Sequence, residues 1–201
     1  PAGNEDLVNL LYEDYATTYN QEDKDRITRI LKNVEAEKPD ITIALLHWGS
    51  EYNDTHSKTQ GDIANLMFSL GVDAIIGTHP HYVQEIVFDE ETGTLVAYSL
   101  GDFFGEADRG ATNYSIILDI EVTKDANAGI TRVTNFSYTP IYTVREGEAV
   151  GNKDRRVVRI EKALEAYEDN FLDKVTDATA DSMKYALTRI GQRIVMPEDE
   201  K

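Results

Sequence analysis

The chain reads as an α/β protein, and three features of the sequence carry that reading. Segments of helical period alternate with short, continuous apolar segments at 41–46 and 72–77, the βαβ rhythm of a sheet built partly from parallel strands. Beyond residue 82 the pattern turns to paired segments with period-two alternation around glycine-containing turns, which predicts hairpins and so a mixed sheet. With 201 residues, 41% of them hydrophobic, the chain can bury a sizeable core, as one globular domain or a large piece of one.

Taken in order, "EDLVNLLYEDYA" (5–16) and "QEDKDRITRILKNVEAEK" (21–38) place apolar residues at helical spacing. The second opens with acids and closes on Lys38-Pro39, as helix ends commonly do. "DITIALLHWG" follows. Its stretch from Ile41 to Leu46 is continuous, apolar and partly β-branched, which predicts a strand covered on both faces. "SKTQGDIANLMFSLG" (57–71) returns to helical period and ends on Gly71, a natural C-terminal cap. "VDAIIG" is the second buried strand. "VQEIVFD" and "TLVAYSLG" flank the turn "EETG", and "NYSIILDIEVT" and "ITRVTNFSYTP" flank "KDANAG", giving two hairpins. From Asp154 onward, "DRRVVRIEKALEAYEDNFLDKV" and "ATADSMKYALTRIGQRIV" predict two amphipathic helices. A change of character near 147–152 divides the chain into residues 1–150 and a helical extension, 151–201.

Composition excludes several classes. No run of eighteen apolar residues is present, so no segment reads as a transmembrane helix. The chain starts at Pro1 without a basic and then apolar leader, so a secretion signal would have been removed or lie on sequence not shown. Cysteine is absent, which rules out disulfides and thiolate metal sites. The net charge is −17, and it is uneven: residues 41–150 hold 16 acidic and 5 basic residues, whereas 151–201 hold 11 and 10. Such a field repels a polyphosphate backbone and makes duplex DNA or RNA a poor partner, while cations are favoured. Solubility alone accounts equally well for the bulk of that charge.

The four histidines, His47, His56, His79 and His81, all fall between positions 47 and 81. In a doubly wound sheet, ligands bind beyond the carboxyl ends of the strands, where His47 and the pair in "GTHPH" lie. A lone histidine at a strand end is usually a hydrogen-bonded loop residue. A His-x-His pair joined by a third histidine on an adjacent strand favours a metal, because imidazole is the commonest ligand of Zn, Mn or Fe and the acids nearby supply supporting carboxylates. Gly77 is expected to let the backbone turn at the strand end, and Pro80 to restrict the two rings. His56 sits in the polar "NDTHS" before a helix, whose side chains suit N-caps, and is not taken as a ligand. "YSLG" lacks a nucleophile-elbow pattern, so a serine hydrolase is set aside.

"LLHWGSEY" (45–52), "DAIIGTHPHYVQ" (73–84) and "VAYSLGDFF" (96–104) together resemble, in order and separation, the three signature blocks of the CapA family of bacterial capsule or poly-γ-glutamate synthesis proteins. That family is similar to the calcineurin-like metallophosphoesterases. The resemblance covers about residues 20–145. It implies an α/β, metallophosphoesterase-like mixed β-sheet sandwich flanked by helices, present here as the C-terminal half of the full domain plus C-terminal helices. It also implies that His47, His79 and His81 are metal ligands with catalytic roles in a centre of one or two divalent ions (Mn, Zn or Fe). Glu51, Tyr52 and Asp102 would line the substrate pocket, Asp102 standing where the family usually has Asn; Trp48 is either pocket or core. The family's earlier half carries further ligand blocks, and residues 1–46 contain none of them. Three histidines alone could hold a zinc ion, but a two-metal clamp would be incomplete.

The implied function is capsule or poly-γ-glutamate biosynthesis at the cell envelope, with phosphoesterase-like, metal-dependent hydrolysis as its chemistry. The alternative is a non-catalytic protein that binds, exports or anchors an anionic polymer through metal bridges. Either would involve an anionic capsule polymer or a phosphoester, and other capsule-synthesis proteins. The expected location is extracytoplasmic, at the cell surface or membrane-anchored through a segment outside this chain.

Overall fold

The structure, a computed structural model, describes residues 19–105 and 110–196. The helix expected at 5–16 lies outside those residues. Helix α1 spans Gln21–Ala36 and is started by a capping box: Asn20 accepts from the backbone N–H of Glu22 and Asp23, and the Asp23 carboxylate accepts from the N–H of Asn20. Strand β1 (Ile43–His47) leads through a loop to α2 (Lys58–Ser69), which Ser57 and Gln60 cap in the same way. Strand β2 (Ala74–Thr78) follows, then the hairpin of β3 (Ile86–Asp89) and β4 (Thr94–Ala97).

These four strands form one sheet in the order β1-β2-β4-β3. β1 and β2 pair in parallel, Ile43 opposite Ala74 and His47 opposite Thr78, and β2 pairs in parallel with β4. The parallel neighbours read from the sequence are therefore present, and they bring the carboxyl ends of β1 and β2 to one edge. A second, antiparallel sheet is built from β5 (Tyr114–Asp125), β6 (Ile130–Val144) and β7 (Arg156–Arg159). Its main hairpin turns where Asp125 accepts from the N–H of Asn127 and Ala128, and where Gly129 takes a φ of +67°. Helices α3 (Ile160–Glu168) and α4 (Asp177–Arg193) close the described chain.

Two apolar cores hold these layers. On one face of the first sheet, Ile27 and Leu31 of α1 and Ile63 and Met67 of α2 pack against Ile75, Val96, Trp48 and Tyr98. On the other face, Ala74, Leu95 and Ala97 meet Ile116, Val133 and Phe136 of the second sheet and Met183, Ala186 and Ile190 of α4. The arrangement is the mixed α/β sandwich flanked by helices that the sequence predicts. Fully burying a side chain such as Ile75 contributes about 1.5–3 kcal/mol, so the apolar runs dictate which faces meet.

Three local expectations are corrected. β1 is not covered on both faces: it is an edge strand among the described residues, with Ile43 47% and Leu45 78% exposed, because the second sheet covers Ala74 and Leu95 but does not reach β1. The first of the two C-terminal helices starts late, since Arg156–Arg159 form β7 instead, with Val158 opposite Tyr142 and Val157 opposite Thr143. β-branched pairs satisfying a ladder outweigh the helical period there. Gly77 does not make a positive-φ turn; its role is close approach. A Cβ on Gly77 would lie 2.0 Å from the Tyr98 carbonyl oxygen and 2.4 Å from the Trp48 indole nitrogen.

Two stability outcomes follow, both measurable by urea unfolding with the single tryptophan as reporter. Gly77→Ala is expected to destabilise by at least the ~1–3 kcal/mol typical of overpacking, since both opposing groups are fixed by a hydrogen bond. Leu45→Ser is expected to stay within about 0.5 kcal/mol of the parent chain, as exposed substitutions do. A cost of several kcal/mol for Leu45→Ser would show that β1 is covered after all.

Candidate functional site

The site begins with Trp48, the residue after β1. Its indole N–H crosses β2 above Gly77 and donates to the Tyr98 carbonyl at 2.9 Å, while its backbone N–H donates to the Thr78 carbonyl at 3.1 Å. The ring is 1% exposed and stacks on Tyr98, so Trp48 belongs to the core and not to a pocket. It fixes how the ends of β1, β2 and β4 sit relative to one another. The loop after it is tied down further on, where the Tyr52 N–H donates to the Pro80 carbonyl at 2.8 Å.

On this frame the structure lays three imidazoles in a row. The His47 and His79 ring centroids are 4.4 Å apart, and those of His79 and His81 are 6.3 Å apart. Tyr52 stacks on His81 at 5.2 Å. His81 Nδ1 lies 2.9 and 3.1 Å from the two carboxylate oxygens of Asp102, a hydrogen bond that orients the ring and leaves Nε2 free to face outward. The nearest acid on that side is Glu51, whose Oε1 is 3.8 Å from His81 Nε2. Asp102, expected beside a metal or a substrate, is thus bonded directly to a histidine, the arrangement that fixes the tautomer of metal-ligating imidazoles.

The backbone pays for this placement. His79, His81 and Tyr52 have φ of 100°, 63° and 61°, a region that side chains other than glycine rarely adopt. Such conformations cost on the order of 1–3 kcal/mol each and persist where surrounding bonds over-determine them. Here the bonds are Tyr52 to Pro80 and His81 to Asp102. Electrostatics point the same way: the His79 pKa is lowered, first by burial and then by the neighbouring His47, with Glu51 opposing. A neutral imidazole keeps the lone pair that a metal ion requires.

The donor chemistry suits a divalent cation, but the described residues supply only part of a shell. Among them, no three or more His, Asp or Glu groups are disposed so as to hold one ion. His56 stands apart from the row: its ring stacks on Tyr98 at 3.9 Å and its Nδ1 lies 3.2 Å from Glu85. Ser99 is buried, its hydroxyl accepting from the Gly101 N–H. Gln84, the last residue of the block "DAIIGTHPHYVQ" and given no role by the sequence reading, is fully buried, donates to the carbonyls of Asn53 and Thr55, and accepts from Gln60. It holds the loop that carries Glu51 and Tyr52.

Among the described residues, no helix is long and apolar enough to cross a membrane. The family profile described as "Bacterial capsule synthesis protein PGA_cap" matches residues 4–107, a span that contains His47, Glu51, Tyr52, His79, His81 and Asp102. The match starts earlier than the three blocks suggest and ends before the second sheet. The chain is 32% identical over 108 residues to the PGA biosynthesis protein CapA of Bacillus subtilis (strain 168), covering 53% of this chain and 26% of that protein. It is 39% identical over 64 residues to the capsule biosynthesis protein CapA of Bacillus anthracis, covering 32% of this chain and 15% of that one. The matched lengths are thus about a quarter or less of these relatives. Because the profile covers more than half of the chain, and the mixed α/β sandwich it implies is the one observed, this chain belongs to the bacterial capsule synthesis protein PGA_cap family, whose domain is metallophosphoesterase-like.

Proposed function

We propose that this chain contributes one side of a divalent-metal centre in a capsule or poly-γ-glutamate biosynthesis protein, and that the whole protein is a metal-dependent hydrolase acting at the cell envelope. The observation that carries this reading is the strained row itself. His79, His81 and Tyr52 are held at positive φ, at a cost in folding energy, in a segment that gathers the three imidazoles at one edge. The remaining ligands would come from groups outside the described residues.

Each group has a role in this reading. His47, His79 and His81 would hold Mn, Zn or Fe through ring nitrogens, with Asp102 keeping Nδ1 of His81 protonated and Nε2 available. The metal, when bound, would acidify water and polarise the electrophile. Glu51, 51% exposed on its side chain and 3.8 Å from His81, is placed to take or return a proton at the mouth of the site. Tyr52, stacked on His81, would limit the ring's rotation and line the substrate side of the site. The substrate would be an anionic capsule polymer or a phosphoester, and bound cations would offset the repulsion between it and a chain of net charge −17. Other capsule-synthesis proteins are the expected partners.

One observation favours a second reading. Since no three ligands meet among the described residues, the histidines could serve as a metal bridge to polymer carboxylates without turnover, in a binding or anchoring protein. Loss of polymer mass on incubation with the metal-loaded longer protein separates the two.

The metal reading is tested by calorimetric titration with Mn²⁺ and Zn²⁺, on this chain and on the longer protein that contains it. The longer protein is expected to bind stoichiometrically, and His79→Ala/His81→Ala to abolish that binding. Asp102→Asn, which keeps the side chain's shape but weakens its hold on Nδ1, is expected to loosen metal binding roughly 10–100-fold. Undiminished affinity in the double histidine variant would overturn the assignment.

A further inference from the structure

Helix α4 carries Arg189 and Arg193 four residues apart, hence on one face. Both donate through Nη2 to one carboxylate oxygen of Asp54, in the loop that follows Tyr52. With Tyr82, Tyr114 and Tyr185 they line a pocket of about 330 Å³. The guanidiniums remain reachable, their side chains being 31% and 23% exposed. Among the described residues that line it, two guanidiniums face one carboxylate, in a chain whose central 110 residues hold 16 acids and 5 bases.

We propose that this pocket is a binding subsite for a carboxylate group of an acidic polymer, next to the histidine row. Three observations support it. Asp54 shows that a carboxylate fits between the two guanidinium forks, and it engages one terminal nitrogen of each while Arg193 Nε is buried without an acceptor. Tyr82 and Tyr185 add hydroxyls and flat apolar faces suited to a flexible chain rather than to a free ion, beside the buried Tyr114, whose hydroxyl bonds Arg189. The pocket also adjoins the row: Tyr82 directly follows His81, and its ring meets Tyr52 edge-on at 6.0 Å while Tyr52 stacks on His81. A chain seated on the arginines would extend toward the imidazoles. The family profile ends at residue 107, so α4 supplies the cationic half of the pocket from outside the matched region. The identity of the polymer rests on the function proposed above; the pocket does not.

The test is calorimetry on this chain in EDTA, so that metal plays no part, with a short γ-linked glutamate oligomer as probe and inorganic phosphate as the comparison. The oligomer is expected to bind, with affinity falling at least 10-fold in Arg189→Gln/Arg193→Gln. Because the arginines also tether α4, Asp54→Asn provides a second arm: it keeps both guanidiniums, removes the internal competitor, and is expected to strengthen binding several-fold. Absence of oligomer binding, indifference to the arginine variant, or weaker binding in Asp54→Asn would each overturn the proposal. So would phosphate binding as tightly as the oligomer, which would mark a general oxyanion pocket. Failure of the metal titration with oligomer binding intact would sink only the metal reading.

Discussion

The indole N–H of Trp48 bonded to the Tyr98 carbonyl, over the vacant position of a side chain at Gly77, is the constraint on which the site depends. It joins three strands by one rigid ring at the level where the chain leaves the sheet. Strand pairing alone would align β1 and β2 but would leave their C-terminal loops free to splay. With Trp48 N–H also on the Thr78 carbonyl, the loops starting at His47 and Thr78 share an origin. Buried hydrogen bonds of this kind contribute only about 1 kcal/mol net, yet leaving either partner unmet costs more, so the geometry is strongly enforced. That enforcement lets the backbone after β2 hold two histidines in left-handed conformations.

Much of this was legible in the sequence, for reasons tied to particular residues. The parallel pair is visible because "ITIALL" and "AIIG" are almost wholly apolar and a capped helical segment lies between them. The hairpins are visible because "EETG" and "KDANAG" place glycine where φ must be positive, as Gly93 and Gly129 confirm. The histidine row could be expected from strand-end positions alone. β7 was hidden because four residues are too few to display a period, and because "RVVRIEKALEAYE" runs from strand into helix without a break. The exposure of Leu45 was hidden for a different reason: an apolar run reports what a strand can bury, not whether a neighbour is there to cover it.

The role of Gly77 shows a further limit. A glycine at a strand end suggests a turn, and a sequence offers no means to see that an aromatic ring 29 positions earlier crosses above it. The same holds for Gln84 and Gln60, whose buried amides pair with each other and with loop carbonyls from Asn53 and Thr55. Non-local contacts of this kind are what convert a row of motif residues into a site with defined orientation. They also show what the sequence could not: it offers an acid at Asp102, and only the fold shows that the carboxylate faces His81.

Charge gives the last constraint. On the reading proposed above, a chain of net charge −17 that meets an acidic polymer must screen its own field, and two cationic devices would lie side by side to do so. One is the imidazole row, to which a bound ion would add positive charge. The other is the arginine pair of α4, cationic at any physiological pH because a guanidinium does not titrate there. A fixed charge can retain a polymer while the ion-dependent charge is loaded or lost, so the two would act in sequence rather than as duplicates. Placing the permanent charge on α4, which packs into the core through Met183, Ala186 and Ile190, sets it on a rigid element instead of a loop. On that reading, the helix that lies outside the family match would help to select the anionic chain that approaches the row.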